Sequence, residues 1–495
     1  MSARFGAAAA QTGAQVLVSL AGYATVVILG RELGPALFGA YSVVYSVLLA
    51  VETLGRLGIP QAINKLVAEE PDGSLRAGRA GITVGMLVFG TLFVAFFLLS
   101  PWLARWFNID DGGHSFRVAS LDIPFFGLFF IVNAILNGRQ RFLAVAVVNG
   151  IYALIKALGI MALAAADRTS VDGALLINAL GSAVALGIAA VMTGAGTWRP
   201  SFDGSRPLLR LAVPVTLRAL GSQLLTSIGL WSLAFAGAAV AGDAKGLFAA
   251  ALSLARLPNV VALGITGVVL SSMSRALARE GREAAVAGFR PMAKLMLAIL
   301  VPSAAIMALE AGPLLELLLS PNYVGAAPEL RVLAVGLGLG FTLAITLSAA
   351  LVACSAADDA AVMSMAGGVL ATAISLALAA PLGGQGAAWG TLAGCAVAAI
   401  GCGWRLWVRL GPWLTASDAV RIVVLTVGVS VLSVILPGQG LWLLGELAVI
   451  GLAYLALLPL TGLLRLSDLR RASGRGRGGP GGPGPAAAAS GPDEP

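Results

Sequence analysis

The chain has 495 residues, of which 58% are hydrophobic and 11% are charged, and its formal net charge is +8. Soluble domains carry roughly 25% charged residues, so this composition excludes an ordinary soluble protein and indicates a polytopic membrane protein. The positive charge lies in short loops that flank apolar segments. It is therefore better explained by the orientation of the helices in the membrane and by contact with anionic lipid headgroups than by nucleic-acid binding.

Apolar segments recur along the whole sequence. Several lack any charged residue over the roughly 20 residues that a spanning helix needs, and the uncharged run 360–404 is divided by the sequence PLGGQG into two such segments. We therefore predict an all-α polytopic membrane protein with about fourteen transmembrane helices. In chain order the predicted helices occupy about 10–30, 38–57, 81–101, 118–138, 143–164, 173–195, 210–238, 246–272, 291–310, 329–354, 360–380, 386–408, 419–436 and 440–462.

The sequence contains a weak internal repeat. The segment FGAYSVVYSV at 38–47 aligns with KGLFAAALSL at 245–254, which places Gly246 opposite Gly39 at an offset of 207 residues. The segment VDGALLINALGSAV at 171–184 aligns with GQGAAWGTLAGCAV at 384–397 at an offset of 213 residues. Six predicted helices separate the two copies, an even number, so the copies are expected to be parallel repeats related by an axis along the membrane normal.

The repeat predicts two six-helix bundles followed by an additional helix pair. The tail is rich in Gly, Pro and Ala and cannot bury a core, so we expect it to be disordered. The predicted divisions are an amino-terminal lobe at 1–195, a cytoplasmic linker at 196–209, a carboxyl-terminal lobe at 210–410, an extra helix pair at 411–464 and a basic cytoplasmic tail at 465–495.

Lysine and arginine residues are distributed unequally between the two sets of predicted loops. With the amino terminus inside the cell, 23 of them lie in cytoplasmic segments and 6 lie on the opposite side. Short cytoplasmic loops are enriched in these residues. We therefore predict a multi-pass protein of the cell membrane with both termini in the cytoplasm.

Constellations that would support enzymatic chemistry are sparse. The single histidine, His114, lies in a predicted loop beside Asp110 and Asp111, which is too little for a catalytic triad or a metal site. The three cysteines lack the spacing of metal ligands, and no phosphate-binding glycine loop with its lysine occurs. We expect a transporter rather than an enzyme, with no cofactor and no metal.

Three cations fall inside predicted spans: Lys156, Arg218 and Arg256. Arg256 lies ten residues into its predicted helix, which corresponds to a depth of about 15 Å and places it near the membrane midplane. Ionisable groups at such depth usually face a bundle interior or a water-filled cavity. Each could instead pair with a carboxylate for a purely structural purpose. Prolines beside Arg218 and Arg256 favour the cavity interpretation, because helices with freed backbone carbonyls are tolerated where they line a cavity.

Carboxylates within the predicted spans are fewer than the cations. Glu52 and Asp122 are the candidates in the first lobe, and we consider both as possible sites of ion coupling. Glu52 lies four residues before Arg56 on one helix, so these two side chains could simply form a pair. The excess of cations indicates an anionic ligand.

Four segments resemble a known family. LGRELGPALFGAYSVVYSVLLAVETLGRLGIPQAINKLVAE, in the first two helices, is similar to the opening signature of polysaccharide and lipid-linked oligosaccharide flippases of the multidrug/oligosaccharidyl-lipid/polysaccharide (MOP) exporter superfamily. In the second half, GLFAAALSLARLP, SPNYVGAAPELRVLAVG and PLGGQGAAWGTLAGCAVA match the same pattern in order and spacing. The resemblance covers about residues 5–410, and the plan of fourteen helices extends it to about 462.

The resemblance implies two six-helix lobes arranged as a V around a central cationic cavity that alternates between inward-open and outward-open states. Its usual cargo is a polyprenyl-diphosphate-linked glycan, whose charged head crosses through the cavity while the lipid tail stays in the bilayer. Cations in the first, second and eighth helices recur in the lipid II branch, and Arg56 and Arg256 match the second and eighth. The first helix has no arginine within its span, which favours the broader polysaccharide group.

We therefore expect a flippase that moves a polyprenyl-diphosphate-linked oligosaccharide to the outer leaflet for cell-surface polysaccharide synthesis. The expected substrate-binding residues are Arg256, Arg218, Lys156 and Arg56. The expected partners are membrane lipid, the lipid-linked glycan and a polysaccharide polymerase or glycosyltransferases. The alternatives are a drug/cation antiporter of the same fold, a lipid II flippase and a non-transporting membrane scaffold; a membrane glycosyltransferase should have a larger polar loop than any found here.

Overall fold

The computed structural model describes residues 2–460 apart from 57, 70–73, 238–241, 437 and 439. The side chains of residues 2–16, 69, 74, 207, 210–218, 261–265, 267, 271, 459 and 460 lie outside this description, as does the predicted tail at 465–495. Within the described residues the secondary structure is helical throughout, which confirms the predicted all-α class.

The helices of the first half are α1 (Ser2–Arg56), α2 (Ile59–Glu69), α3 (Ser74–Trp106), α4 (His114–Ser120), α5 (Asp122–Gly138), α6 (Phe142–Ala165) and α7 (Val171–Thr193). Those of the second half are α8 (Ser205–Ala236), α9 (Ala244–Ala255), α10 (Leu257–Arg279), α11 (Arg282–Leu309), α12 (Ala311–Leu318), α13 (Ala327–Leu333), α14 (Thr342–Ala353) and α15 (Ala357–Leu410). The last pair is α16 (Ala416–Ile435) and α17 (Trp442–Leu460).

Two of these helices are each a pair of spans joined at one glycine. Helix α1 breaks at Gly34, where φ is 68°, and α15 breaks at Gly383, where φ is 57°. Side chains other than glycine rarely adopt this left-handed region, so a glycine lets the chain turn without an intervening loop. The break at Gly383 falls inside the PLGGQG sequence that was expected to divide the uncharged run.

Other local expectations were wrong. The predicted helix at 246–272 is two helices, α9 and α10, which meet at Arg256. By contrast, the predicted fourth span at 118–138 lies within one apolar helical run, His114–Gly138, in which only Leu121 separates α4 from α5. Helix α2 was not predicted at all, because it is amphipathic and short rather than continuously apolar.

Ten helical runs in the described residues are long and apolar enough to cross a membrane. Two of them, Leu17–Ala68 and Ala357–Leu410, contain the glycine breaks. With the pair α9–α10 and the shorter apolar α17, the described helices accommodate about the fourteen spans that were predicted. Large apolar side chains are exposed on the outward faces, as Leu98 at 70% and Ile400 at 71%, which suits contact with lipid tails.

The first and second halves share one apolar core at one end of the molecule. Phe38 of α1, Phe248 of α9 and Tyr323 are fully buried there, and the Tyr323 hydroxyl donates to the carbonyl of Gly30 over 2.8 Å. The repeat-related glycines Gly39 and Gly246 meet at this end: a Cβ on Gly39 would lie 2.6 Å from the Gly246 nitrogen. The two halves are therefore in backbone contact.

Polar contacts reinforce the same end. Arg31 donates to the carbonyls of Leu317 and Leu318 over 2.6 and 3.0 Å. Lys245 donates to the carbonyl of Asn108, whose amide in turn donates to the carbonyl of Ala234. We call this set of contacts the sealed end. It joins residues 30–39 and 108 on one side to residues 234, 245–246 and 317–323 on the other.

The additional pair α16–α17 packs on α11 of the second half. Lys294 of α11 and Asp418 of α16 form an ion pair of 2.7 Å, and Ser433 of α16 donates to a carboxylate oxygen of Glu310 over 2.5 Å. Tyr454 of α17 donates to the carbonyl of Ala298. The pair is thus attached to one lobe, away from the surface between the halves.

Candidate functional site

A cavity of about 420 Å³ lies between the two halves. One wall comes from α1 and α6, and the other comes from α8, α9 and the start of α10. Lys156 lines it from the first half, and Arg256 lines it from the second half. Two of the four predicted cations therefore face one shared space.

Both parts of α1 line the cavity: residues 19–26 lie before the break at Gly34, and residues 38–49, after it, form a single helix face. Positions 38, 41, 42, 45, 46 and 49 follow the spacing of three and four residues that brings side chains to one side of a helix. They place two tyrosine rings and two serine hydroxyls toward the cavity. The rings of Tyr41 and Tyr45 are parallel within 8°, with 5.5 Å between their centroids.

Lys156 is positioned by Tyr45. Its ammonium donates to the Tyr45 hydroxyl over 2.9 Å and lies 4.6 Å from the centre of the same ring. A ring face attracts a cation, and the hydroxyl oxygen accepts one of its three hydrogen bonds. Two donor positions of the ammonium remain for a ligand.

Arg256 lies at the junction between α9 and α10. One guanidinium nitrogen donates to the carbonyl of Thr226 on α8 over 2.5 Å, while Nε is buried without a hydrogen-bond partner among the described residues. Pro258, the proline beside Arg256, occupies the second position of α10. Proline suits the first turn of a helix because its missing N–H would be unpaired there anyway. It therefore marks a new helix inside the membrane.

No carboxylate of the described residues lies within 4 Å of either cavity cation. The structural alternative, in which each cation pairs with a carboxylate, is therefore not how Lys156 and Arg256 are held. Amides from α8 and α10, Gln223 and Asn259, complete the polar lining. The cavity offers positive charge and hydrogen-bond donors without a carboxylate of its own, and we call it the cationic cavity.

Of the other two predicted cations, Arg56 does not join this group, and Arg218 is not placed by the described structure. Arg56 is absent from the cavity lining: its guanidinium lies 4.5 Å from the centre of the Phe130 ring and 5.7 Å from that of Phe126. Its nitrogens donate to the Glu52 backbone carbonyl and the Thr53 hydroxyl, not to the Glu52 carboxylate. Arg218 lies in α8, and its side chain falls outside the described part of the chain.

The predicted coupling residues lie behind the first wall of the cavity. Glu52 is 1% exposed, and within the described residues neither of its carboxylate oxygens has a hydrogen-bond partner. Asp122, also 1% exposed, accepts from the amide of Asn178, and its other oxygen is likewise unpartnered. Tyr152 donates to the same Asn178 amide over 3.3 Å. Two buried carboxylates thus stand without a cation in hydrogen-bond contact.

A metal site is not among the features found. Within the described residues no group of three His, Cys, Asp or Glu side chains is close enough to hold a metal ion. Cys395 and Cys402 are buried among apolar side chains, and Cys354 is partly buried.

Sequence reasoning missed the tyrosines and amides of the cavity. Tyr41 and Tyr45 could have been found from the serine and tyrosine pattern of FGAYSVVYS, which puts one polar face on an otherwise apolar helix. Gln223 and Asn259 carry no such signal, because each is an isolated polar residue whose direction depends on helix packing. The pairing of Lys156 with Tyr45 joins positions 111 residues apart and has no local signature.

Comparison with known families gives one match. A family model described as "Polysaccharide biosynthesis protein" matches residues 8–276. That range is more than half of the chain and includes both cavity cations. A comparison with curated proteins finds no match.

Several solved structures share the fold. A lipid II flippase MurJ in an inward closed conformation aligns with a TM-score of 0.75 at 16% identity, over 93% of this chain and 100% of that one. An inward-facing multidrug resistance MATE family transporter of the MOP superfamily aligns with a TM-score of 0.66 at 18% identity, over 79% and 94% of the two chains. A MOP superfamily transporter from Pyrococcus furiosus, described as having a binding pocket of reverse polarity, aligns with a TM-score of 0.60 at 16% identity, over 81% and 96%.

Proposed function

Because the chain belongs to the polysaccharide biosynthesis protein family, whose model matches residues 8–276, we propose that it is an alternating-access flippase for a polyprenyl-diphosphate-linked oligosaccharide. The family match and the fold shared with MOP-superfamily transporters support membrane transport as its general activity. The observation that supports a diphosphate-linked cargo is the shared cavity. Lys156 and Arg256 approach it from opposite halves, and no described carboxylate pairs with either.

The chemistry of the two cations suits a diphosphate. A guanidinium binds phosphate oxygens through two parallel hydrogen bonds, whereas an ammonium acts as a compact charge with rotatable donors. The unpartnered Nε of Arg256 and the free donor positions of Lys156 are available for such contacts. A dianion held by both would connect the two halves.

The helix junction at Arg256 adds to this preference for anions. Helix α10 begins at Leu257 beside the cavity, and Asn259 and Val260 in its first turn line the cavity wall. The Asn259 N–H already donates to the Arg256 carbonyl over 3.0 Å, so the contribution of this helix start is its partial positive charge. Broken helices that direct such ends at an anionic substrate are a recurring device of transporters.

The sealed end supplies the element that must open for transport. Cargo bound between the halves can leave on that side only if the contacts of Arg31, Tyr323 and Gly246 separate. A ligand shifts the balance between two conformations only by binding one more tightly than the other. We assign the sealed end to the outer face of the cell membrane and both termini to the cytoplasm, from the distribution of lysine and arginine.

The cargo places the protein between two reaction classes. Glycosyltransferases that build a sugar chain on a polyprenyl diphosphate must supply the substrate, and a polymerase or transferase on the opposite side must consume it. We propose such enzymes as partners.

The test is reconstitution of the purified chain into liposomes that contain a fluorescent polyprenyl-diphosphate oligosaccharide. Transfer between leaflets is measured by quenching of the fluorophore from outside. Arg256→Ala is expected to slow the transfer at least about tenfold, since hydrogen bonds to charged groups contribute about 1.5 to 3 kcal/mol.

Arg105→Ala is the matched control. Arg105 is exposed at the end of α3 and donates only to the carbonyl of Pro101 in its own helix. This variant should transfer the lipid at the unmodified rate. Normal transfer by Arg256→Ala in folded protein, or no transfer by the unmodified chain, would contradict the proposed function.

A drug/cation antiporter is the second candidate, and the buried carboxylates favour it specifically. Glu52 and Asp122 are the first-lobe groups that such coupling would use, and each has an unpartnered oxygen among the described residues. The two candidates differ in cargo. An antiporter would move a cationic dye against an ion gradient in the same liposomes, whereas the flippase would leave the dye untouched.

A further inference from the structure

A second cavity of about 440 Å³ lies within the first half, lined by α1, α2, α5 and α6. No charged side chain of the described residues lines it. Most of its polar groups are amides, and most of its apolar side chains are aromatic; we call it the amide cavity. This composition differs from that of the cationic cavity, so the two cavities are suited to different parts of a ligand.

The amides form a donor and acceptor pair. Asn133 of α5 is 6% exposed, and its amide nitrogen donates to the amide oxygen of Asn149 on α6 over 2.8 Å. The Asn133 oxygen is buried without a hydrogen-bond partner among the described residues. The Asn149 nitrogen also lacks a protein partner there. A buried acceptor without a partner is destabilising, and a ligand hydroxyl that donates to it would remove this cost.

Aromatic rings line the cavity on the same two helices as the amides, one turn away from them. Phe126, Phe129 and Phe130 of α5 line the cavity together with Tyr152 of α6. The rings of Phe129 and Tyr152 are stacked, with 5.7 Å between their centroids. A neutral ligand with hydroxyl groups at its rim and an apolar face fits amides beside rings, since amides both donate and accept.

The two cavities lie along one face of α6. Asn149 and Tyr152 line the amide cavity, and Lys156, one turn further on, lines the cationic cavity. Positions 149, 152 and 156 follow the spacing of one helix face. At 1.5 Å per residue, Asn149 and Lys156 are about 10 Å apart along the helix. This separation suits a diphosphate and the sugar attached to it.

We propose that the amide cavity is the subsite for the sugars nearest the diphosphate, with Asn133 and Asn149 as the residues that recognise them. This inference rests on the proposed function and adds a specificity site to it. Selectivity for the glycan would then come from the first half alone, and the diphosphate would be bound by both halves.

The test compares binding of two probes by the full chain in detergent: a polyprenyl diphosphate carrying one N-acetylhexosamine, and the same polyprenyl diphosphate without sugar. We expect the unmodified chain to bind the sugar-bearing probe about tenfold more tightly. Asn149→Leu, and separately the double variant Asn133→Leu with Asn149→Leu, should remove this preference and leave affinity for the sugarless probe unchanged.

Two further variants separate the possible failures. Val147→Ala alters a lipid-facing position of the same helix, 41% exposed, and should change neither affinity. Lys156→Met should weaken both probes equally. Equal binding of both probes by the unmodified chain, or a preference that survives in Asn149→Leu, would overturn the sugar subsite while leaving the flippase proposal standing. Failure of the unmodified chain to bind either probe would overturn both.

Discussion

Glu52 is the residue whose surroundings are least explained by packing. A buried carboxylate that has no hydrogen-bond partner among the described residues is destabilising, because its charged form has lost water and gained nothing in return. Ionisable groups of this kind inside a membrane commonly mark an ion or proton path. Its position behind the wall of the cationic cavity would let its protonation state influence Tyr45 and Lys156.

Glu52→Gln removes the charge and keeps the size of the side chain. We expect the melting temperature of the purified protein to rise, because an amide avoids the free-energy cost of taking an ionisable carboxyl group out of water without a partner, and we expect lipid transfer to lose its response to an imposed pH or Na⁺ gradient. Glu32→Gln, at an exposed position, is the control and should change neither property. A gradient response that persists in Glu52→Gln would exclude Glu52 from coupling.

For individual residues, the sequence predicted which residue types matter but not which way their side chains point. Charge inside an apolar segment was enough to select Lys156 and Arg256, since such charge has a large insertion cost. It could not separate these two from Arg56, which stacks on Phe130 instead. Whether a cation faces a cavity or an aromatic ring depends on helix rotation, and rotation is set by packing partners far away in the sequence.

The element of most consequence is the crossing of α1 and α9 at the sealed end. A Cβ at Gly246 would lie 1.7 Å from the carbonyl oxygen of Pro35, so neither helix can keep its position if this residue has a side chain. Backbone atoms cannot rotate away as a flexible side chain can. The contact is therefore sensitive to a single methyl group.

Gly246→Ala is expected to separate α1 from α9 and to favour conformations in which the sealed end is open. The measurement is the rate at which a membrane-impermeant maleimide labels a cysteine introduced at Lys245, which should rise several-fold. Gly90→Ala in α3 is the control, because a Cβ there meets no atom within 4 Å. An unchanged labelling rate in Gly246→Ala would mean that this crossing does not hold the end closed.

Helix number and approximate position followed from apolar length, which is why most spans were predicted within a few residues. Breaks were harder. The division at Gly383 was visible because proline and several glycines cluster there, whereas the junction at Arg256 has one nearby proline, Pro258, and no glycine from 247 to 263. A proline that starts a helix and a proline that kinks one look alike in a sequence. Only the ends of α9 and α10 distinguish them.

At the scale of the whole molecule, the proposed transport cycle requires the two halves to rock about the cavity. The polar contacts of the sealed end join helices and loops of the two halves, and they use backbone carbonyls as acceptors. Such contacts can separate without leaving a charged pair exposed to a low-dielectric environment. The fold therefore has a face that can open at modest cost.

A reversible cross-link tests this movement directly. The variant carries Asn108→Cys and Lys245→Cys with the three native cysteines replaced by alanine; the native Lys245 ammonium lies 2.9 Å from the Asn108 carbonyl oxygen. We expect a short reducible bis-maleimide to stop lipid transfer and reduction to restore it. Each single-cysteine variant, treated identically, should continue to transfer lipid. Undiminished transfer by fully cross-linked protein would contradict a rocking mechanism.

The meeting of Gly39 with Gly246 also bears on ancestry. Two positions that correspond in the repeat touch each other, which is the geometry expected of a homodimer of six-helix chains whose genes later fused. At the same offset of 207 residues, Arg256 corresponds to Leu49, and both line the cationic cavity. In a symmetric ancestor those positions would have carried one side chain, so an arginine there would have faced its own copy. In this chain the two positions differ, so at this pair the positive charge lies on the side of the second half.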